Sequence, residues 1–421
     1  MKIAHIFQSS GVRFSEPGAA QLHIYYTMRG LQQAGHLVTL IALQQNREVL
    51  CAHDLNVFSE EDAFGKNPIC SLGWSGNPSF KLFESGVRRF QREAKIPYFG
   101  VFDSLRLYDA CYQNLQGYDL VHERFNLLAI GGALASRRLG IPLVLEINAD
   151  LIAQRRYKGR PERGLRRRFA IWAMRFSFDT AAKIVCISRD LKNHLMRHWG
   201  INEPKLAVLP CAVDADAFVS KRDPGLIREE IGLNGEPVIM WIGGFYKWHN
   251  LELLIESFAK ILLGQPKAKL VLVGDGETRP TIEKAVKEQG LEQSVIFTGK
   301  VSHDRVPDIL SIADVAVVSS APASAEDGGT GTPLKLFEYM AAGKPIVASD
   351  VNHNAAIIQN GYDGKLVPPG DVNGFARVIE SLLKNPDERN RLGQNARRAA
   401  LERHSWENYT RQLEIIYSDV C

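Results

Sequence analysis

The sequence predicts an α/β chain of two doubly wound domains, and three observations carry that prediction. Its 421 residues are more than a single hydrophobic core usually organises. A strand, Gly-containing loop, helix and strand succeed one another from Ile3, and a fresh series of the same kind starts at Pro237. That order is the signature of parallel βαβ units. A third stretch, Thr330 to Ser349, joins a Gly-rich loop to a short helix and a buried strand.

Ile3 to Ser9 reads as a buried strand, Ser10 to Gly18 as a loop, Ala19 to Ala34 as a helix stopped by Gly35, and His36 to Leu43 as the next strand. Residues 51–117 are less regular, with a basic helical stretch at Val87 to Lys95. Tyr118 to Arg124 and Pro142 to Asp150 are strands that turn polar at their C-terminal ends. Ligands of doubly wound sheets sit at that edge, which makes His122 and Arg124 candidates; His122 reads equally as a hydrogen-bonded core histidine. Glu146 and Asn148 share one face of their strand, and a carboxylate inside Val-Leu-Glu-Ile requires either a function or a paired Arg. Ser188 caps a helix from Arg189 to Trp199, and Asp214-x-Asp216 reads as a capping turn rather than a metal site. The second series runs through strand Pro237 to Gly244, strands at 269–276, 295–301, 314–320 and 365–368, helices from Asp371 and Asp387, and a last helix from His404.

Composition excludes several classes. Hydrophobic residues at 45% and charged residues at 23% suit a globular protein. Six Cys without a C-x-x-C pair read as reduced thiols, neither a disulfide framework nor a zinc site. No apolar run reaches the length that spans a bilayer, and the N-terminus runs straight into a strand, so a cytoplasmic protein is expected. A net charge of +4 does not argue for nucleic acid.

In Thr330 to Ser349, Thr332 and Pro333 occupy the N-cap and first helical positions, and a helix of about three turns comes next. Leu334, Phe337, Tyr339, Met340 and Ala341 give apolar contacts, and Gly343 suits a left-handed stop. A Gly-rich loop entering a helix presents N–H groups to an anion, and phosphate is the natural guest. Lys335 and Glu338 share a face, placing a cation beside that phosphate and a carboxylate within reach of ribose hydroxyls; the alternative is a surface ion pair one turn apart.

The run Pro333-Leu-Lys-Leu-Phe-Glu-Tyr-Met-Ala-Ala-Gly-Lys-Pro-Ile-Val resembles the nucleotide-sugar motif of retaining glycosyltransferases of family 4, which have the GT-B fold. The resemblance implies two Rossmann-like domains facing across a cleft, 1–200 plus 405–421 for the acceptor and 205–404 for the donor. It also implies a C-terminal helix crossing back to the first domain through Trp406, Tyr409, Leu413 and Ile416. Glu338 matches the family glutamate that binds the donor ribose; the other motif glutamate falls on Thr330, with Glu326 or Asp327 as substitutes. Gly18 matches the first-loop glycine near the donor phosphates, and Thr332, Pro333 and Leu334 the helix entrance. Gly243 and Gly244 stand where the family has Gly-Arg, and His249 stands near its Lys, so the diphosphate clamp is left to Lys247, His249 or Lys335. Gly299 and Val301 match the segment that holds the base, and Asn148 stands near a family His that touches the sugar.

The activity implied by the resemblance is transfer of a sugar, with retention, from a nucleoside diphosphate sugar to a hydroxyl acceptor in bacterial surface polysaccharide or glycoconjugate synthesis. Glu146, Asn148, Arg124 and His122 are the candidate catalytic group. The donor is a substrate; no cofactor, metal or nucleic acid is expected. Residues 155–168 carry eight cations and one acid ahead of an aromatic run. They suit an anionic membrane at its cytoplasmic face or a lipid-linked or otherwise anionic acceptor, or form a solvated loop before a core helix. Residues 51–117 are a variable insertion that shapes the acceptor pocket. The alternatives are a non-hydrolysing nucleotide-sugar epimerase of the same fold and an inactive nucleotide-sugar-binding protein. A nicotinamide dehydrogenase is disfavoured because no G-x-G-x-x-G succeeds a strand.

Overall fold

The computed structural model describes residues 1–9, 19–44, 47–55, 69–157, 159–321 and 334–421. Gly18, Glu326, Asp327, Thr330, Thr332 and Pro333 lie outside the described residues. The chain divides into two compact units. One is Met1–Pro210 with Tyr409–Cys421; the other comprises the described residues of Cys211–Ser324 and Thr332–Asn408.

The sheet of the first unit contains β1 (Lys2–Gln8), β2 (Leu37–Leu43), β3 (Val49–Ala52), β4 (Leu120–Arg124), β5 (Leu143–Ile147), β6 (Lys183–Cys186) and β7 (Leu206–Val208). Their order is β3-β2-β1-β4-β5-β6-β7, parallel throughout except for the antiparallel edge strand β3. The second sheet contains β8 (Val238–Ile242), β9 (Lys269–Val273), β10 (Val295–Gly299), β11 (Val315–Val318), β12 (Ile346–Ser349) and β13 (Lys365–Val367), in the order β10-β9-β8-β11-β12-β13. All its pairings are parallel. Both sheets are doubly wound, and their order reverses between β1 and β4 and between β8 and β11, the switch points where such sheets bind ligands.

The strands read as near-continuous apolar runs because both faces of a parallel sheet are covered by helices. Every residue of β5 and β8 is buried. In the second unit Trp241, Phe245, Phe258 and Phe375 fill the space between strands and helices, none more than 1% exposed. A Leu145→Ala change in the equally buried β5 would cost about 2–5 kcal/mol.

Local signals act where the sequence places them. Ser188 accepts the Leu191 N–H at 3.1 Å, and Asp214 accepts that of Ala217 at 3.2 Å. Two details differ. The helix expected from Asp387 starts at Pro386, and Asn385 caps it, its side chain accepting the Glu388 N–H at 3.0 Å. Residues 51–117 are more regular than their Gly, Pro and Asn content suggests, with helices at Pro78–Glu93 and Val101–Asn114.

The last helix, Trp406–Ser418, delivers its final turns to the first unit. Tyr409 meets the His23 ring edge-on at 5.5 Å, Glu414 pairs with His36 at 2.9 Å, and Leu413 and Tyr417 are fully buried. Gly30 is required at this joint, because a Cβ there would collide with the Thr410 hydroxyl. Among the described residues no helix is long and apolar enough to cross a membrane.

Candidate active site

In the first unit the chemistry gathers at the C-terminal ends of β4 and β5. Parallel register puts Arg124 beside Glu146, and Arg124 donates to its Oε1 at 2.7 Å. His122, two residues earlier on the same face, places Nε2 3.3 Å from Oε2. Asn148 donates its amide to Oε1 at 3.1 Å. From the helix Ala19–Gln33, His23 brings Nδ1 to 3.7 Å from Oε2. The carboxylate predicted to require a partner therefore has several.

These contacts settle protonation. Burial alone would raise the Glu146 pKa, but the positive and hydrogen-bonding groups of His23, Arg124 and His122 outweigh it and hold the acid well below the usual range. Burial holds His23 down at about 4, so Arg124 is the cation that balances Glu146 at neutral pH. A carboxylate only accepts, so His122 Nε2 carries the ring proton and Nδ1 accepts from the Tyr417 hydroxyl at 2.6 Å. That hydroxyl stays protonated because burial pushes its pKa well up. His5 stacks on His122 at 4.8 Å, and burial keeps it neutral.

His122 is fully buried with both nitrogens engaged, the arrangement of a core histidine that orients Glu146. Arg124 and Asn148 are the partly exposed members of the group. The Asn148 side-chain oxygen is buried without a hydrogen-bond partner among the described residues.

In the second unit the helix Leu334–Ala341 runs beside the end of β8. Eight of its residues are described. Tyr339 fixes it, accepting the Ile242 N–H at 2.7 Å. One turn earlier Lys335 lies over the Trp241 ring, its Nζ 3.7 Å from the ring centre. The residue is only 7% exposed and its Nζ has no hydrogen-bond partner among the described residues. Gly243 makes room for it: a Cβ there would lie 2.6 Å from Nζ. Glu338 pairs with His303 at 3.1 Å instead of with Lys335, so the surface ion pair that the spacing allowed does not form.

Electrostatics separates the three clamp candidates. Burial, then the Lys335 charge, lowers the His249 pKa to about 2 and keeps that ring neutral. Lys247 is exposed on the short helical turn Lys247–His249. Lys335 is the buried lysine of the three, and burial lowers its pKa well, with Glu338 opposing. Gly244 sits against the Tyr246 ring, where a larger residue would collide. Gly299 adopts a φ of 72°, and its carbonyl accepts the Gly274 N–H at 2.8 Å, which ties the ends of β9 and β10 together. Val301 lies just beyond, half-buried, and Leu334 is exposed at the start of its helix.

The basic stretch divides. Arg155 and Arg166 grip the buried Glu162 at 2.6 and 2.8 Å, whereas Arg160, Arg163, Arg167 and Arg168 are exposed. Among the described residues no group of three or more His, Cys, Asp or Glu is placed to hold a metal.

Sequence reasoning missed His5, His23, Tyr417, Trp241 and His303. The first left a signal: a His inside an apolar strand, in register with His122 of the neighbouring strand. The others meet their partners only through tertiary contacts.

Comparison with known proteins agrees with this architecture. Residues 20–217 match the family model described as Glycosyltransferase Family 4, and residues 225–399 match Glycosyl transferases group 1. The chain is 29% identical to alpha-D-kanosaminyltransferase of Streptomyces kanamyceticus over 68% of its own length and 73% of the relative's. It is 33% identical to N-acetyl-alpha-D-glucosaminyl L-malate synthase of Bacillus anthracis over 59% of its length and 62% of the relative's. An Escherichia coli UDP-Gal:alpha-D-GlcNAc-diphosphoundecaprenol alpha-1,3-galactosyltransferase is 22% identical over 80% of this chain and 84% of its own. Among solved structures, Anabaena HepE in complex with UDP-glucose superposes over 100% of both chains with a TM-score of 0.67 at 19% identity. Sucrose-phosphate synthase from Thermosynechococcus elongatus, at 21% identity and covering 99% of this chain and 98% of its own, gives 0.68. With one family model laid over each of its two doubly wound sheets, the chain belongs to the group 1, family 4 glycosyltransferases and is an enzyme of that class.

Proposed function

We propose that this glycosyltransferase moves a sugar from a nucleoside diphosphate sugar to a hydroxyl acceptor with retention of anomeric configuration. The observation that carries the reading is Lys335, buried beside the end of β8, whose Nζ has no hydrogen-bond partner among the described residues. A cation in that state is costly until an anion arrives, and a diphosphate supplies one. Glu338, three residues on and partly exposed, takes the ribose hydroxyls; Gly243 and Gly244 allow close approach of the phosphates. Gly299 and Val301 hold the base, and the residues around Thr330, Thr332 and Pro333 complete the donor contacts.

Sugar transfer is redox-neutral and needs no cofactor beyond the donor itself. As the bond to the diphosphate breaks, negative charge grows on the leaving oxygen. Lys335 and the N–H groups of a helix entrance stabilise it, while positive charge develops at the anomeric carbon. Retention results when the acceptor attacks from the leaving-group face and its proton passes to the departing phosphate. In the first unit, Glu146 fixes Arg124 and Asn148, and these orient the acceptor; the Asn148 oxygen supplies a place for a sugar hydroxyl.

The Escherichia coli relative, whose acceptor carries a diphosphoundecaprenol, supports a lipid-linked or otherwise anionic acceptor in surface polysaccharide synthesis. The HepE complex with UDP-glucose supports a UDP-sugar donor. The exposed arginines of 155–168 fit contact with an anionic membrane surface at the cytoplasmic side.

The test is to incubate the purified protein with a panel of nucleoside diphosphate sugars and to monitor nucleotide release with and without acceptor. Release that depends on acceptor, with an α-linked product from an α-linked donor by NMR, is expected. Binding without release, or a donor epimerised in the absence of acceptor, overturns the reading.

A further inference from the structure

The helix Pro78–Glu93 faces water with the wrong side. Its inner face carries Glu84, 2% exposed, which pairs with Arg88 at 2.7 Å and with Arg106. Arg88 goes on to Asp103 at 2.8 Å and lies over the Tyr98 ring at 4.1 Å. Its outer face carries Leu82, Phe83 and Phe90, exposed by 76%, 63% and 63%. Helical spacing puts Phe83 and Phe90 on one stripe and Leu82 about a quarter-turn away, with Arg89, which pairs with Glu93 at 2.9 Å, and then Arg92 and Lys81 on the far side of Leu82. Helices of water-soluble domains bury their apolar stripe and expose their charges. This one is held to the body by ion pairs and by Phe80 and Phe83, whose rings each meet Phe102 at 5.9 Å, and still leaves most of Leu82, Phe83 and Phe90 exposed.

The surface continues beyond the helix. Arg166 donates to the Tyr98 carbonyl at 3.2 Å, and Phe99 meets Phe169 at 5.7 Å. These contacts join the end of Pro78–Glu93 to the start of the helix Gly164–Thr180. There the exposed stripe reads Leu165, Arg168, Trp172 and Arg175, again apolar and cationic side chains together.

Single exposed apolar residues are common; a cluster of large ones rimmed by cations on two joined helices is a partner surface. A second copy of the chain would bring the same cations face to face, which disfavours self-pairing. A bilayer with anionic headgroups meets both features, the apolar stripe entering the acyl boundary and the cations meeting phosphate. We propose that Pro78–Glu93 is a membrane-docking helix that lays Leu82, Phe83 and Phe90 into an anionic leaflet, with the cationic start of Gly164–Thr180 beside it. It extends the reading of a lipid-linked acceptor and rests on that reading for its purpose.

The experiment uses the full chain with vesicles of phosphatidylcholine alone and of phosphatidylcholine with about one third phosphatidylglycerol, at low and high salt. The parent is expected to sediment with the anionic vesicles only, and less at high salt. The double variant F83S/F90S is expected to partition at least about tenfold more weakly, with unchanged Tm and unchanged UDP affinity. A parent that ignores anionic vesicles overturns the proposal, as does a double variant that binds them as the parent does. So does sedimentation velocity showing a parent dimer that the two substitutions dissolve. UDP affinity of the parent, measured on the same preparation, separates the two readings: its absence strikes the donor assignment and leaves the vesicle result standing.

Discussion

The Nζ of Lys335 lies 3.7 Å from the centre of the Trp241 ring, without a hydrogen-bond partner among the described residues. The aromatic face offsets part of the desolvation of the ammonium, and Glu338, which the spacing offered as a partner, is engaged with His303. The first prediction rests on that pair. Lys335→Met removes a buried amine and keeps the side-chain volume. Its Tm should stay level or rise, while UDP affinity falls by about 1.5–3 kcal/mol, on the order of ten- to a hundredfold. Calorimetric titration with UDP checks it, and unchanged affinity counts against the donor assignment.

The second concerns pH. Burial holds the Lys335 pKa well below that of a free lysine. Over the window between its folded and unfolded values the unfolded chain binds the extra proton, so this group's contribution to stability rises with pH. An anion at Nζ reverses the shift. UDP binding should then take up a proton on the alkaline side of neutrality and weaken as pH rises, and titrations in buffers of different ionisation enthalpy measure that uptake.

The third tests the carboxylate of the first unit. The Glu146 pKa is depressed despite burial, so its contribution to stability is present above the unfolded value of about 4.3 and is lost as pH falls through the folded value. Glu146→Gln leaves Arg124 without its ion pair and should cost about 3–5 kcal/mol. It should also flatten the acid limb of the stability profile in urea titrations at several pH values.

How much of the site was legible depends on where the partners lie. Glu146 announced itself because a carboxylate in an apolar strand must be answered, and parallel register supplies Arg124 from the neighbouring strand. The doubly wound order was legible for the same reason, since strands covered on both faces are written as apolar runs. Lys335 was singled out near the helix start, but its seat over Trp241 was invisible: helical spacing reports neighbours along one element, and Trp241 belongs to a strand. His303 was missed on the same ground. Of the helix Pro78–Glu93 only the stretch from Val87 was read, as basic, because periodicity shows two faces without saying which one the body takes.

The fourth prediction isolates His303. Its pKa is raised, chiefly by the hydrogen bond to Glu338. The stability from that pair is complete below the unfolded histidine value of about 6.5 and is lost as pH rises through the folded one. Glu338→Gln should bring the His303 pKa, tracked by NMR, back toward the ordinary value. The same variant should weaken UDP binding at least about tenfold, the scale of one charge-assisted hydrogen bond.

The fifth addresses the last helix. Tyr417→Phe removes the hydroxyl that donates to His122 and leaves a buried ring nitrogen unpaired. A loss of about 1–3 kcal/mol is expected in thermal unfolding, with UDP affinity unchanged.

That hydroxyl also sets a timetable. His122 and Tyr417 stand 295 positions apart, and the whole second unit is written between Pro210 and Tyr409. On the ribosome, the earlier strands must wait with a gap beside His122 until the closing segment emerges. A partner so distant along the polypeptide makes this docking a late and slow step of biogenesis. Chaperone dependence would therefore concentrate in the nascent first unit.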